Sequence, residues 1–137
     1  MTGWRIGYCC APSEIIEAIT KIHQYSALCA STVSQYAAIE ACKLSADEMT
    51  HMRDSYQQRA QYVVAHMNKC GLATQMPSGG LYCFSSIQST GLSDLEFSER
   101  LLKEQSIAVV PGRVFGEGGS GYVRLCIAVN FDDLKES

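Results

Sequence analysis

The feature that most constrains the fold is a change of hydrophobic pattern at Gly71. Residues 45–70 read SADEMTHMRDSYQQRAQYVVAHMNKC, an amphipathic run with acids at its start and a lysine near its end. With Gly71 where a helix C′ residue belongs, this run predicts a helix of about seven turns. Beyond Gly71 the large residues alternate in steps of two, as they do in strands. The sequence therefore predicts an α+β fold, with helices packed on one face of a small mixed sheet.

Four further helices are predicted from caps and apolar spacing. Ser13 is the expected N-cap of the first, in which isoleucines recur at helical intervals to the mid-twenties. The weakly patterned segment 26–32 is expected to be a turn before a second helix. Ser93 and Glu96 form a capping-box pattern for another helix, and Asn130 is the expected cap of the last. The residues expected to face inward on the capping-box helix are Phe97, Leu101 and Leu102.

Strands are predicted near 80–87, 107–111 and 121–129, where apolar residues alternate or run together between glycine-rich turns. In the first of these, Cys83 and Ser85 are expected to share one face and Tyr82 and Phe84 the other. The opening residues 1–10 also alternate large apolar side chains, which predicts a strand whose pairing partner is missing.

Charge and composition argue against several classes of function. The net charge is −3 and the lysines and arginines are scattered singly, so no basic surface for nucleic acid is expected. No apolar run approaches the roughly 20 residues that cross a bilayer, and no signal-peptide pattern is present, so a cytoplasmic protein without membrane contact is expected.

The cysteines and histidines do not have the spacing of a metal site. The chain has seven cysteines without a C-x-x-C pair, and most have small or apolar neighbours. They are expected to be buried free thiols that behave as small hydrophobic side chains. The three histidines, His23, His51 and His66, fall in predicted helices and lack carboxylates at ligand spacing, so no metal ligands are assigned.

Four segments together resemble a known family. They are MTGWRIGY, PSGGLYCF, IAVVPGRVFG and GYVRLCIA, and they occur in the order found in class I/II aminotransferases, the fold type I enzymes that use pyridoxal phosphate. In that family the lysine that forms a Schiff base with the cofactor lies eight positions before the arginine of the first segment. Counted from Arg5, that position falls before Met1. The resemblance thus implies the C-terminal part of such an enzyme, with no catalytic residue in this chain and no activity by itself.

The resemblance also implies a division into domains. Residues 1–10 would be a remnant strand of the large cofactor domain, and residues 11–45 would be interdomain helices. Residues 46–137 would be the small domain, truncated at its last helix. The family's substrates are amino acids and 2-oxo acids, and its usual assembly, a homodimer, is expected here as well.

Two arginines are the candidate site residues. The resemblance makes Arg5 a ligand of the phosphate of pyridoxal phosphate, and without it Arg5 would be a solvated arginine at a strand end. Arg124 lies in an apolar strand, where a buried guanidinium needs an anionic partner. The resemblance supplies the substrate α-carboxylate as that partner, and a structural ion pair with Glu117 is the alternative. Arg113, where relatives often have serine or asparagine, is expected to be a solvated loop residue rather than a ligand.

Two other interpretations remain open from the sequence. The chain could be a free-standing binding or regulatory domain descended from the same small domain. It could also be an unrelated structural α/β domain whose segments match by chance, which would lack an arginine-lined concavity.

Overall fold

The computed structural model describes residues 1–136, which form two compact units. The first unit is Met1–Met49, and the second begins at Thr50. The division into domains expected from the sequence, with boundaries after residues 10 and 45, stays a prediction.

The first unit is helical. A short 3-10 turn, Thr2–Trp4, precedes α1 (Ser13–Ser26) and α2 (Thr32–Ala41). The predicted strand over 1–10 is wrong: Arg5 has left-handed backbone angles, with φ of 52°, and the following residues have no regular structure. Alternation of apolar residues makes a strand only where a neighbouring strand accepts its hydrogen bonds. Within the described residues, this segment has no such neighbour.

The start of α1 differs from the prediction by one residue. Pro12 occupies the N-cap position and Ser13 is already helical, with no capping bond from its side chain. A proline N-cap removes one backbone N–H and the fixed φ of its ring suits the entry into the helix. The predicted turn after α1 is confirmed, and Leu28 within it has a positive φ of 61°.

The long helix α3 (Ala46–Lys69) is confirmed, and its start has a cap that sequence reasoning missed. The Ser45 hydroxyl accepts a hydrogen bond from the Glu48 backbone N–H at 3.4 Å, and the Glu48 carboxylate accepts one from the Ser45 N–H at 3.0 Å. This reciprocal pair is a capping box. At the other end, Gly71 has a φ of +78°, which a residue without a Cβ adopts at little cost.

The sheet lies in the second unit. It consists of β1 (Tyr82–Ser86), β2 (Val110–Pro111) and β3 (Tyr122–Cys126), in the order β1-β3-β2. Both pairings are antiparallel, so the expectation of a mixed sheet is wrong. The α+β fold class is confirmed. The remaining helices are α4 (Asp94–Gln105) and α5 (Phe131–Glu136).

One face of the sheet forms the core. Cys83 and Ser85 of β1 are buried, as is Val123 of β3, and Cys83 packs with Ile127 and with residues of α3. The two predicted faces of β1 are therefore confirmed. The Ser93–Glu96 cap of α4 is also confirmed, because the Ser93 hydroxyl accepts the Glu96 N–H at 3.2 Å. Leu102, expected to face inward from α4, is 53% exposed.

The expectation of buried thiols holds for one cysteine. Cys83 is 1% exposed, and burial raises the pKa of its thiol. The other six cysteines are exposed and free, including Cys42 and Cys126, whose apolar neighbours suggested burial. Apolar neighbours in sequence do not bury a side chain at the end of a helix or strand, because burial there depends on what packs against that end.

Across residues 1–136, no helix is long and apolar enough to cross a membrane.

Candidate functional site

Arg124 lies at the centre of the sheet face opposite the core. It belongs to the middle strand β3, where its Cα pairs with Phe84 of β1 on one side and with Val110 of β2 on the other. Because side chains alternate along a strand, Arg124 projects away from buried Val123 and shares its face with Tyr82, Phe84 and Tyr122. The strand thereby places a half-buried cation on an open aromatic surface.

Two aromatic rings contact the guanidinium. The Cζ atom of Arg124 lies 4.1 Å from the centre of the Tyr82 ring and 4.6 Å from that of Phe115. Aromatic faces attract a planar cation and tolerate its partial desolvation. Among the described residues, no carboxylate forms an ion pair with Arg124, so the alternative pairing with Glu117 is not found. Its donors remain available for an anion from outside this part of the chain.

The surrounding aromatic side chains also contact one another. The Phe84 ring stacks on Tyr122 at 5.4 Å between centres, and it meets Phe115 edge to face at 6.2 Å. A concavity of about 820 Å³ opens over Tyr82, Phe84 and Tyr122. Arg124 and Phe115 do not line this concavity, whose walls include the polar residues Asn68, Thr74 and Gln75 beside the aromatic rings.

Arg113 lies in an exposed turn, as expected from the sequence, but its side chain is paired rather than free. Its backbone N–H donates to Oδ2 of Asp94 at 2.9 Å, and its Nε donates to Oδ1 at 2.7 Å, with a further bond from Nη2 to Oδ1. Asp94 is 1% exposed, whereas the Arg113 side chain is 48% exposed. The hydrogen bonds from Arg113 lower the pKa of Asp94 to about 2 and raise that of Arg113.

Acid is expected to remove the stabilisation that Asp94 provides. The folded-state pKa of about 2 is below the ordinary 3.8, so this stabilisation is complete above about pH 4 and disappears as the pH falls through about 2. Urea unfolding between pH 2 and pH 6 would measure it. The difference in the free energy of unfolding between the native chain and Asp94→Asn should shrink as the pH falls from 6 to 2. A difference independent of pH would contradict the prediction.

Arg5 lies in the first unit, at the end of the 3-10 turn. Its backbone N–H donates to the Thr2 carbonyl at 3.2 Å, and the Trp4 carbonyl accepts a bond from buried Ser34 of α2 at 2.8 Å. These bonds fix the backbone beside the exposed Arg5, which lines a concavity together with Met1, Thr2, Ile6 and Gly7. No ion pair to Arg5 is found within residues 1–136, and its role as a ligand of the cofactor phosphate stays a prediction.

Comparison with known proteins identifies the family. The family model for aminotransferase class I and II matches residues 1–136. The chain belongs to this family. It is 44% identical over 139 residues to an aspartate aminotransferase of Pyrococcus abyssi, and 41% identical over 139 residues to aromatic-amino-acid aminotransferase 2 of Thermococcus litoralis. Each alignment covers 100% of this chain and 36% of the relative.

Solved structures of the family have the same fold. The crystal structure of an aromatic aminotransferase from Pyrococcus horikoshii matches with a TM-score of 0.87 at 44% identity, covering 99% of this chain and 37% of the other. An aspartate aminotransferase from Thermotoga maritima matches with a TM-score of 0.81 at 34% identity, covering 99% and 34%. The chain thus has a fold type I architecture and spans about a third of the length of these relatives.

Arg124 was selected from the sequence and its role stays a prediction, whereas the residues that surround it were missed. Asp94 was assigned no role from the sequence, because nothing near it distinguishes it from a solvated acid in the first turn of a helix. Phe115 was part of a recognised segment but had no assigned contact. Arg113 was noted in the sequence, but its partner Asp94 lies 19 positions away, so no local pattern joins the two residues.

Proposed function

We propose that this chain forms the substrate-carboxylate site of a pyridoxal-phosphate aminotransferase that exchanges an amino group between an amino acid and a 2-oxo acid. Arg124 binds the α-carboxylate in this proposal. The observation that carries it is a half-buried guanidinium in contact with two aromatic rings, with no carboxylate partner among residues 1–136.

The geometry supports binding of a planar anion. A guanidinium offers parallel N–H donors that match the two oxygens of a carboxylate. The Cζ atom of Arg124 lies 4.1 Å and 4.6 Å from the centres of the Tyr82 and Phe115 rings. The apolar rings reduce the local dielectric constant and thereby strengthen the charge interaction. The side chain of the substrate would lie over the aromatic surface.

Arg5 is the residue of this chain proposed to hold the cofactor. Pyridoxal phosphate, when bound, would supply an electron sink for bond breaking at the substrate Cα. Arg5 would contribute charge-assisted hydrogen bonds to its phosphate, which fits an exposed arginine on a fixed backbone. The Schiff-base lysine is proposed to lie eight positions before Arg5, outside this chain, so this chain alone would be inactive.

The carboxylate site can be tested on this chain by NMR. Titration with pyruvate is expected to shift the Nε–Hε signal of Arg124, because the carboxylate accepts bonds from the guanidinium. Pyruvamide, which keeps the size and lacks the charge, should produce no such shift. Arg124→Lys should weaken binding by about tenfold, since an ammonium does not present the planar fork. Equal shifts with pyruvate and with chloride of the same ionic strength would refute the proposal.

We also propose that the chain self-associates through α1. Its isoleucines form an apolar stripe that is not covered within the first unit: Ile15 is 51%, Ile19 40% and Ile22 69% exposed. A second copy is the expected partner, since a homodimer would bury this stripe against itself. Sedimentation should show a dimer at micromolar concentration for the native chain and a monomer for Ile22→Asp. Gln24→Asp, which adds the same charge to α1, is the control and should stay dimeric, whereas a monomeric native chain would contradict the proposal.

A further inference from the structure

A buried carboxylate holds the loop that carries one of the two rings on Arg124. Asp94, the first residue of α4, is 1% exposed and accepts both the backbone N–H and the side-chain donors of Arg113. Because one carboxylate binds two parts of the same residue, it fixes both the position and the direction of the backbone there. An ordinary ion pair joins two side chains and leaves the backbone of either residue free.

Arg113 lies within a short 3-10 turn, Gly112–Phe115. The carbonyl of Arg113 accepts the Gly116 N–H at 3.1 Å, which closes the turn directly after Phe115. Phe115 itself is 52% exposed, so the turn is held mainly by its backbone and by Arg113 rather than by burial of the phenyl ring. The orientation of that ring consequently depends on where Arg113 is held.

The Phe115 ring in turn contacts the guanidinium of Arg124, at 4.6 Å, while Tyr82 contacts it at 4.1 Å. Tyr82 is part of β1 and is fixed by the sheet, whereas Phe115 belongs to the turn held by Arg113 and also meets Phe84 edge to face at 6.2 Å. We propose that Asp94 and Arg113 are positioning residues for Arg124, acting through Phe115. The proposal rests on the proposed carboxylate-binding role of Arg124. It adds a residue pair that determines how the Arg124 guanidinium is positioned.

A merely structural ion pair would fasten α4 to the loop and leave Arg124 unaffected. The two roles differ in one measurable respect, which is whether the environment of the Arg124 guanidinium changes when the pair is broken. Aromatic rings shift the NMR signals of groups above their faces, so the Arg124 Nε–Hε signal reports the placement of Phe115 even when no carboxylate is present.

The test uses Arg113→Met and Arg113→Lys, with Phe115→Leu as the reference. Arg113→Met is expected to move the Arg124 Nε–Hε signal in the same direction as Phe115→Leu, and to weaken pyruvate binding by about three- to fivefold. Arg113→Lys keeps the charge and the backbone bond but loses the fork, and an intermediate shift is expected. If the Arg113→Met chain does not fold, the Arg113→Lys chain still tests the proposal. Arg100→Met, which breaks the exposed pair with Glu104 on the same helix, should leave the signal in place.

A double-mutant cycle distinguishes an effect that acts through Phe115 from a general loss of order in the loop. In the Phe115→Leu background, Arg113→Met should have no further effect on the Arg124 signal, because the ring through which it acts is gone. Additive effects would overturn the proposal, as would an unchanged Arg124 signal in Arg113→Met and Arg113→Lys. Failure of pyruvate to bind the native chain would instead refute the carboxylate role, while the signal shifts without pyruvate would still decide the positioning role.

Discussion

Replacement of Gly112 by alanine is expected to destabilise the chain by about 3 kcal/mol or more. A Cβ at this position would overlap the carbonyl oxygen of Gly119 and lie 2.8 Å from that of Tyr122. Both obstacles are backbone atoms, and Gly112 and Gly119 are buried, so neither strand nor turn can yield without losing its own hydrogen bonds. Urea denaturation followed by circular dichroism would measure the change in the free energy of unfolding.

The same loop offers a control. At Gly118 an added Cβ would have nothing within 4 Å, and the φ of this residue is not in the left-handed region. Gly118→Ala should therefore change the free energy of unfolding by no more than about 0.5 kcal/mol. A Gly112→Ala chain as stable as Gly118→Ala would show that the turn relaxes, and it would remove the basis for treating this loop as a rigid support of Phe115.

Elements with local signals were predictable from the sequence. The Ser93–Glu96 cap of α4, the length of α3 and the two faces of β1 follow from spacings of a few residues. The strand predicted at 1–10 failed because alternation says nothing of whether a partner strand is present to pair with it. The direction of strand pairing was also unavailable from local pattern, and so the sheet is antiparallel where a mixed one was expected.

The candidate site was predictable only in part for the same reason. Arg124 was conspicuous, since a charged residue in an apolar strand demands a partner. The pairing of Asp94 with Arg113 joins residues 19 positions apart, and the contact of Phe115 with Arg124 depends on how the intervening turn is folded. Such contacts are set by the tertiary fold and have no periodic signature in the chain. Only the folded structure brings these side chains together.

No transamination is expected from this chain when it is mixed with pyridoxal phosphate, an amino acid and a 2-oxo acid. In the proposed enzyme a lysine binds the cofactor and transfers the proton at the substrate Cα, a contribution on the order of 10²- to 10⁴-fold. The chain has five lysines, and each of them is exposed. Three form surface ion pairs with glutamate or aspartate, namely Lys43, Lys103 and Lys135. None has the desolvated surroundings that activate a lysine nucleophile.

The measurement is the rate of 2-oxo acid formation, compared with free pyridoxal phosphate and with the urea-unfolded chain, which presents the same five amines without a fold. Equal rates in all three would agree with a chain that binds a carboxylate but cannot move a proton. A faster rate that is abolished by Arg124→Met would contradict the prediction, because catalysis would then require both the folded carboxylate site and a lysine of this chain. Substitution of the five lysines one at a time by arginine would identify that lysine. In that event, the proposal that the Schiff-base lysine lies eight positions before Arg5 would have to be abandoned.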